Sequence, residues 1–225
     1  MNSRPEFDEY AAQYETLLEG ALLPTGVDSD RFAAYKIEEI AHVLRNREPQ
    51  KILDFGCGTG RSLRHLRQAF PAAAMFGYDP SSESAAAAVA ACPGVVATSN
   101  WDTLATRRFD CIVAANVFHH VPLAERPAMM ARCAHALAPG GSLFVFEHNP
   151  LNPLTRWVFK RCPFDCDAQM LGRGETLRLG RGAGLEVVAA RYTLFIPYSG
   201  KAWAAFQRLL GWCPAGAQYY VQFTY

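Results

Sequence analysis

Three sets of residues in this 225-residue chain have the types and spacing to do chemistry. In Asp54-Phe55-Gly56-Cys57-Gly58-Thr59-Gly60, three glycines stand at alternate positions behind an aspartate. Glycine serves where backbone takes a positive φ or where another group must approach closely. At the carboxyl end of a buried parallel strand, the approaching group is a ligand. The dinucleotide fingerprint G-x-G-x-x-G spaces its last glycine differently and sets a helix amino terminus against pyrophosphate. An acidic residue two positions before the first glycine suits a cationic group better. Asp79, about twenty residues on, can accept both hydroxyls of a ribose; its plainer role is a turn or helix cap, which Ser81 can supply instead. The third set is His119, His120 and His148, imidazoles that take or give a proton near neutral pH. Their plainer role is a hydrogen bond to a loop carbonyl.

These residues need a frame, and the hydrophobic pattern supplies one. Short apolar runs alternate with helical stretches, the signature of an α/β sheet. Strands are expected at Lys51–Phe55, Met75–Tyr78, Val95–Ala97, Cys111–Ala114 and Ser142–Glu147, with helices at Arg61–Phe70, Ser82–Ala91 and Leu123–Leu137 between them. Short links in βαβ order imply right-handed crossovers and a parallel sheet. Each set of candidate residues falls at or just after the end of such a strand. Upstream, Glu6 to Leu18 and a second stretch from Asp28 or Ser29 to about Arg45 carry apolar stripes at helical period. Downstream, residues 148–171 hold three prolines and no clear period. A short helix over Glu175–Arg181, interrupted at Gly180, a strand over Leu185–Leu194, a helix around Ala202–Leu210 and a last strand over Tyr219–Tyr225 follow.

Composition narrows the class. Half the residues are hydrophobic, and the formal net charge is +1 with no long basic run, so no nucleic-acid partner is expected. The amino-terminal segment lacks a basic-then-apolar leader pattern and no run approaches a membrane span in length. Seven cysteines, several within expected buried elements (Cys57, Cys111, Cys133), suit a reducing cytoplasm. Cys162 and Cys166 have no second ligand pair nearby, so no metal site is expected.

The Asp-x-Gly-x-Gly-x-Gly pattern resembles motif I of the class I S-adenosylmethionine-dependent methyltransferases, in their small-molecule, UbiE-like (type 11) branch. Phe109 to Pro122, with its histidines before a short loop, resembles that family's fourth-strand motif, and Leu137-Ala138-Pro139-Gly140-Gly141-Ser142 resembles its entry into strand five. Together these segments cover Lys51 to Glu147. The resemblance implies a doubly wound, seven-stranded Rossmann-like sheet, mostly parallel with the last strand antiparallel, in a single domain. Residues 1–47 would form an amino-terminal helical lid, and residues 148–171 and 196–217 would cover the acceptor site. It implies S-adenosyl-L-methionine as methyl donor, with S-adenosyl-L-homocysteine as product. The cofactor-binding set would be Asp54, Gly56, Cys57, Gly58, Gly60, Asp79, Pro80, Asn100, Trp101, Asn116 and Tyr14. Within it, Asn100 and Trp101 would touch adenine, where an aspartate is commoner than Asn100, and Tyr14 would belong to the lid. His148, His119 and His120 would be the candidates for a catalytic base.

The acceptor is less constrained. The late segments are rich in Trp157, Phe159, Phe164, Phe195, Tyr198, Trp203, Phe206 and Trp212, a lining suited to a small apolar or aromatic molecule. Lys201–Trp212 is amphipathic enough for weak contact with a membrane surface and a lipid or polyprenyl acceptor. A macromolecular acceptor and a non-catalytic cofactor-binding module are further readings. No Asp-Pro-Pro-Tyr-like tetrapeptide follows strand four, and Asn116 to Pro122 holds no acidic metal ligand.

Overall fold

The computed structural model describes residues 29–162, 167–195 and 201–225. Helices α1 (Ser29–Val43), α2 (Arg61–Ala69), α3 (Ser82–Ala91), α4 (Arg126–Ala136), α5 (Pro153–Phe159), α6 (Arg173–Gly182) and α7 (Lys201–Leu209) pack around strands β1 (Lys51–Phe55), β2 (Ala74–Tyr78), β3 (Val96–Thr98), β4 (Phe109–Ala115), β5 (Leu137–His148), β6 (Glu186–Thr193) and β7 (Gln218–Thr224). The strands form one sheet in the order β3-β2-β1-β4-β5-β7-β6. β1 to β5 pair in parallel. β7 lies antiparallel between β5 and β6. This is the doubly wound, seven-stranded Rossmann-like arrangement expected from the sequence, with the last strand reversed.

Successive strand residues point to opposite faces, and each face has its own core. Ile52, Met75, Val113, Phe144 and Phe146 meet Ile37 and Ile40 of α1, Leu63 and Leu66 of α2 and Ala88 of α3. Leu53, Phe76, Ile112, Leu143 and Val145 meet Met130 and Cys133 of α4, with Leu177 and Leu179 of α6 alongside. α1 also reaches across to the late elements. Tyr35 Oη hydrogen-bonds Thr193 Oγ1 at 2.7 Å, and Glu39 accepts from Arg208 Nε at 2.9 Å.

Several boundaries differ from expectation for identifiable reasons. β5 begins at Leu137, not Ser142. A bulge between Phe109 and Cys111 absorbs the Pro139-Gly140-Gly141 turn within the strand pair. α4 begins at Arg126 rather than Leu123, because Pro122 opens a turn whose carbonyl accepts from Glu125 and Arg126. Gly180 does not interrupt α6; a Cβ there would lie 2.1 Å from the Phe223 ring, so glycine lets the helix pack on β7. The aperiodic segment after β5 contains α5, capped by Asn152 Oδ1 accepting from Thr155 N. Tyr14, the amino-terminal lid before Ser29, Phe164, Cys166 and Tyr198 lie outside the described residues.

Candidate active site

β1 hands its chain to β2 on one side of the sheet and β4 hands its chain to β5 on the other. The crevice outside the strands' carboxyl ends at such a switch point is where ligands bind. A cleft of about 520 Å³ opens there. Gly56, Cys57, Gly58, Tyr78, Asp79, Pro80, Asn116 and Val117 line one part of it. His119, His120, His148, Leu154, Val158, Phe159, Leu194 and Gln218 line another, and Phe32 and Lys36 of α1 face it.

The glycine turn is fixed by backbone. Gly56 N–H and Cys57 N–H both donate to Tyr78 O, at 2.7 and 3.0 Å. Gly56 has φ +79°, and a Cβ there would sit 2.4 Å from Val117 Cγ2. Gly58 has φ +50°, yet a Cβ there would meet nothing within 4 Å. The first glycine is required by packing, and the second borders open space a ligand can fill. Gly58 N–H donates to Asp79 Oδ2 at 2.8 Å, and Ser81 N–H donates to Asp79 Oδ1 at 3.0 Å. Each carboxylate oxygen keeps acceptor capacity beyond that bond. Ser81 Oγ caps α3 by accepting from Ser84 N–H.

Asp54 lies beneath the turn, 2% exposed, and its Oδ2 is buried without a hydrogen-bond partner. Burial and the neighbouring Asp79 carboxylate push its pKa up to about 7, against the pull of Lys36. Lys36 is itself 6% exposed. Burial draws its ammonium down to about 8 while Glu147 and Asp54 oppose that shift. Asn116, directly after β4, has φ +59°, a left-handed conformation that asparagine adopts more readily than most residues, and its Oδ1 is also buried and unpartnered. Two orphaned acceptor oxygens, a bare Gly58 and the Asp79 carboxylate fit a ligand carrying an ammonium group and a ribose, as S-adenosyl-L-methionine does.

The histidines rest on Glu147, fully buried at the end of β5. Its Oε1 accepts from Val117 N–H and Phe118 N–H at 3.1 and 2.7 Å, and its Oε2 is 2.6 Å from His119 Nδ1. Burial alone would raise the Glu147 carboxyl, but the His119 ring and these donors hold it below the usual range. The His119 ring lies 4.1 Å from that of His120 and 5.2 Å from that of His148, with the Phe159 edge against His119 and His148. Arg126, 1% exposed, clamps the loop from behind. It donates to Val121 O, Gln169 O and Glu175 Oε1, and Gln169 N–H donates to His119 O.

Asn100 and Trp101 do not line the cleft. Asn100 Oδ1 accepts from Asp102 N–H at 3.0 Å, capping a short 3-10 turn. Trp101 stands edge-on against Phe55 and Tyr78, both cleft residues, and so backs the wall. Gly60 starts α2, packed on the backbone of Ala88. Glu147, Lys36 and Arg126 were not singled out from the sequence. For Glu147 the signal was an acidic residue ending an otherwise apolar strand; nothing in the local pattern around Lys36 and Arg126 marks either of them. Among the described residues no cluster of His, Cys, Asp and Glu could hold a metal ion, and no helix is long and apolar enough to cross a membrane.

The family described as a methyltransferase domain matches residues 28–190. The ubiquinone/menaquinone biosynthesis C-methyltransferase UbiE of Syntrophotalea carbinolica is 28% identical over 71% of this chain and 67% of its own. A trans-aconitate 2-methyltransferase of Mycolicibacterium gilvum is 37% identical, but the match spans only 42% of this chain and 36% of that protein. A solved S-adenosylmethionine-dependent methyltransferase of Thermotoga maritima, described as a possible histamine N-methyltransferase, superposes with a TM-score of 0.67 over 97% of both chains at 21% identity.

Proposed function

The chain belongs to the methyltransferase-domain family and is a class I S-adenosyl-L-methionine-dependent methyltransferase; from that premise we propose that it methylates a small, partly apolar acceptor with an acidic O–H or C–H group, held in the histidine-lined part of the cleft. The observation that carries this reading is that a single cleft is lined both by the glycine turn and by His119, whose Nδ1 is held from behind by the buried Glu147.

Bound at the turn, S-adenosyl-L-methionine supplies an electrophilic methyl on a sulfonium. The tasks left to the protein are to bind, align, exclude water and take a proton. Alignment alone supplies up to roughly 7–11 kcal/mol. In this assignment Asp54 offsets the ammonium group, Asp79 accepts from the ribose hydroxyls, and Gly56, Cys57, Gly58, Gly60, Pro80 and Asn116 shape the surface around them. Glu147 accepts the Nδ1 proton of His119. The lone pair is thereby kept on Nε2, which takes the acceptor's proton. His148 and His120 flank that ring, and Leu154, Val158 and Phe159 shed water from the reacting groups.

Calorimetry with S-adenosyl-L-methionine and S-adenosyl-L-homocysteine tests the first half; failure of both to bind removes the reading. The second half is tested by methyl transfer from labelled donor to phenols and quinols on one side and to di- and tricarboxylates on the other. Turnover of the phenolic set, rising with pH as one group of His119 type loses its proton, is expected. Turnover of carboxylates alone, which need no base, replaces it.

A further inference from the structure

From the rim of the cleft outward, exposed apolar side chains fall in two groups that the chain ties together. The first comprises Leu151, Leu154 and Trp157, 65%, 59% and 39% exposed. The second comprises Phe206, Leu209 and Trp212, 48%, 74% and 75% exposed, on α7 and the turn after it. Asn149 Nδ2 donates to Pro214 O and Gly216 O, and Asn152 Nδ2 donates to Ala215 O. The start of α5 is thereby pinned to the turn that follows Trp212.

Charge separates this face from the rest of the molecule. Residues 148–162 contain Arg156, Lys160 and Arg161 and neither Asp nor Glu, in a chain whose overall charge is +1. All three are exposed, and the Arg161 guanidinium stacks over the Trp157 ring at 3.9 Å. On the other side of the same helix, Thr155 and Phe159 are buried and line the cleft, with Thr155 Oγ1 bonded to Ala217 O. One short helix thus has the cleft on one side and a basic, aromatic surface on the other. Leu154, exposed and also a cleft residue, stands at the border.

We propose that this face docks on an anionic lipid bilayer, with α5 and the α7 turn lying in the headgroup region. Indole and leucine side chains enter the apolar boundary, as tryptophans do at membrane interfaces. Arg156, Lys160 and Arg161 meet lipid phosphates, each contributing about a fivefold gain in affinity near such a surface. Charge complementarity selects this occupant over an uncharged one. An apolar partner alone would not favour three cations interleaved with the tryptophan. The orientation sets the mouth of the cleft at headgroup level, and the docking does not depend on which acceptor the cleft takes.

The test is co-sedimentation of the full chain with mixed phosphatidylglycerol–phosphatidylcholine vesicles and with pure phosphatidylcholine, read alongside tryptophan emission. Binding to the mixed vesicles, at least tenfold weaker on the neutral ones, reduced by added salt and accompanied by a blue shift, is expected. The triple variant R156E/K160E/R161E should lose more than tenfold in affinity, and L209S/W212S should lose both affinity and blue shift. Unchanged S-adenosyl-L-homocysteine affinity in both variants reports that they fold. Absent vesicle binding, equal binding to neutral vesicles, or indifference to both variants overturns the proposal. So does a dimer that W212S dissociates, which would make a second copy the occupant. Vesicle binding by a chain that binds neither cofactor form would sink the functional reading above and leave the docking intact.

Discussion

The two walls of the cleft are built in different ways. The wall that carries the glycine turn is made of backbone. Gly56, Cys57 and Gly58 donate their amides to Tyr78 and Asp79, and parallel pairing of β1 with β2 and β4 sets their height. The histidine wall is made of side chains from distant parts of the chain: His119 on the loop after β4, Glu147 on β5, Phe159 on α5 and Gln218 on β7. A backbone wall tolerates change at side chains that merely back it and none where the chain must bend. A side-chain wall fails when one member of a buried network is altered.

The largest expected effect tests the side-chain wall. Glu147→Gln keeps shape but presents an amide to His119 Nδ1, which favours the opposite tautomer and puts the proton on Nε2. Turnover should fall by roughly two to four powers of ten, while S-adenosyl-L-homocysteine affinity stays within a few-fold. A comparable loss in both quantities would merge the two walls into one. Next in size is a pair of glycine variants. Gly56→Ala meets a positive φ, costing about 1–2 kcal/mol, and collides with Val117, adding about 1–3 kcal/mol. Gly58→Ala meets the φ penalty alone, so it should fold and lose more than about tenfold in cofactor affinity by filling the space the ligand needs. Equal melting temperatures for the two would contradict the division between a packing glycine and a cradle glycine.

A smaller effect depends on pH. Folded Asp54 keeps its proton up to about pH 7, whereas the unfolded chain releases it near 3.9. Between these values the native state binds more protons, so this group's contribution to stability declines as pH rises and is gone above about 7. Asp54→Asn should therefore leave the melting temperature nearly unchanged at pH 4 and raise it at pH 8. At pH 8 it should weaken cofactor binding by about tenfold or more, the weight of a charged hydrogen bond. A melting difference constant across pH would show that Asp54 is ionised in the fold throughout. The smallest effect is Asn100→Ala, with a capping loss of about 0.5–1 kcal/mol and cofactor affinity within about twofold. A tenfold loss would extend the backbone wall to the 3-10 turn.

The same contrast explains what could be read from the sequence. The strand-turn-helix from Lys51 to Ala69 and the Asp79 corner are local, so apolar runs, glycine spacing and caps mark them directly. Glu147 as the partner of His119 was not legible, because the two are brought together only when β4 and β5 pair. Lys36 sits on a helix whose apolar stripe reads correctly, yet its burial depends on the crevice above it. α5 did carry a local signal, Asn152 at the cap with Pro153 in the first turn, but the prolines around it suggested an irregular segment. The adenine role expected of Asn100 and Trp101 rested on the resemblance alone; Trp101 stands against the cleft residues Phe55 and Tyr78 without lining the cleft itself. The hydrogen bond to Asp102 turns Asn100 elsewhere.

The place of β7 in the sheet bears on how the molecule comes into being. It is the latest-made of the seven strands, yet it sits between β5 and β6, pairing Ser142 with Thr224 and His148 with Gln218. As the chain leaves the ribosome, β1 to β5 can assemble around the glycine turn while β6 waits with no neighbour to join. The cofactor wall and the His119–Glu147 pair are then formed before β7 adds Gln218 to the cleft, and an unpaired β5 edge, a ready template for the wrong strand, persists until residue 224 emerges. Arrest of synthesis before that point should yield a nascent chain that retains the cofactor but aggregates along this edge, so vectorial assembly leaves β7 as the last piece that closes both the sheet and the site.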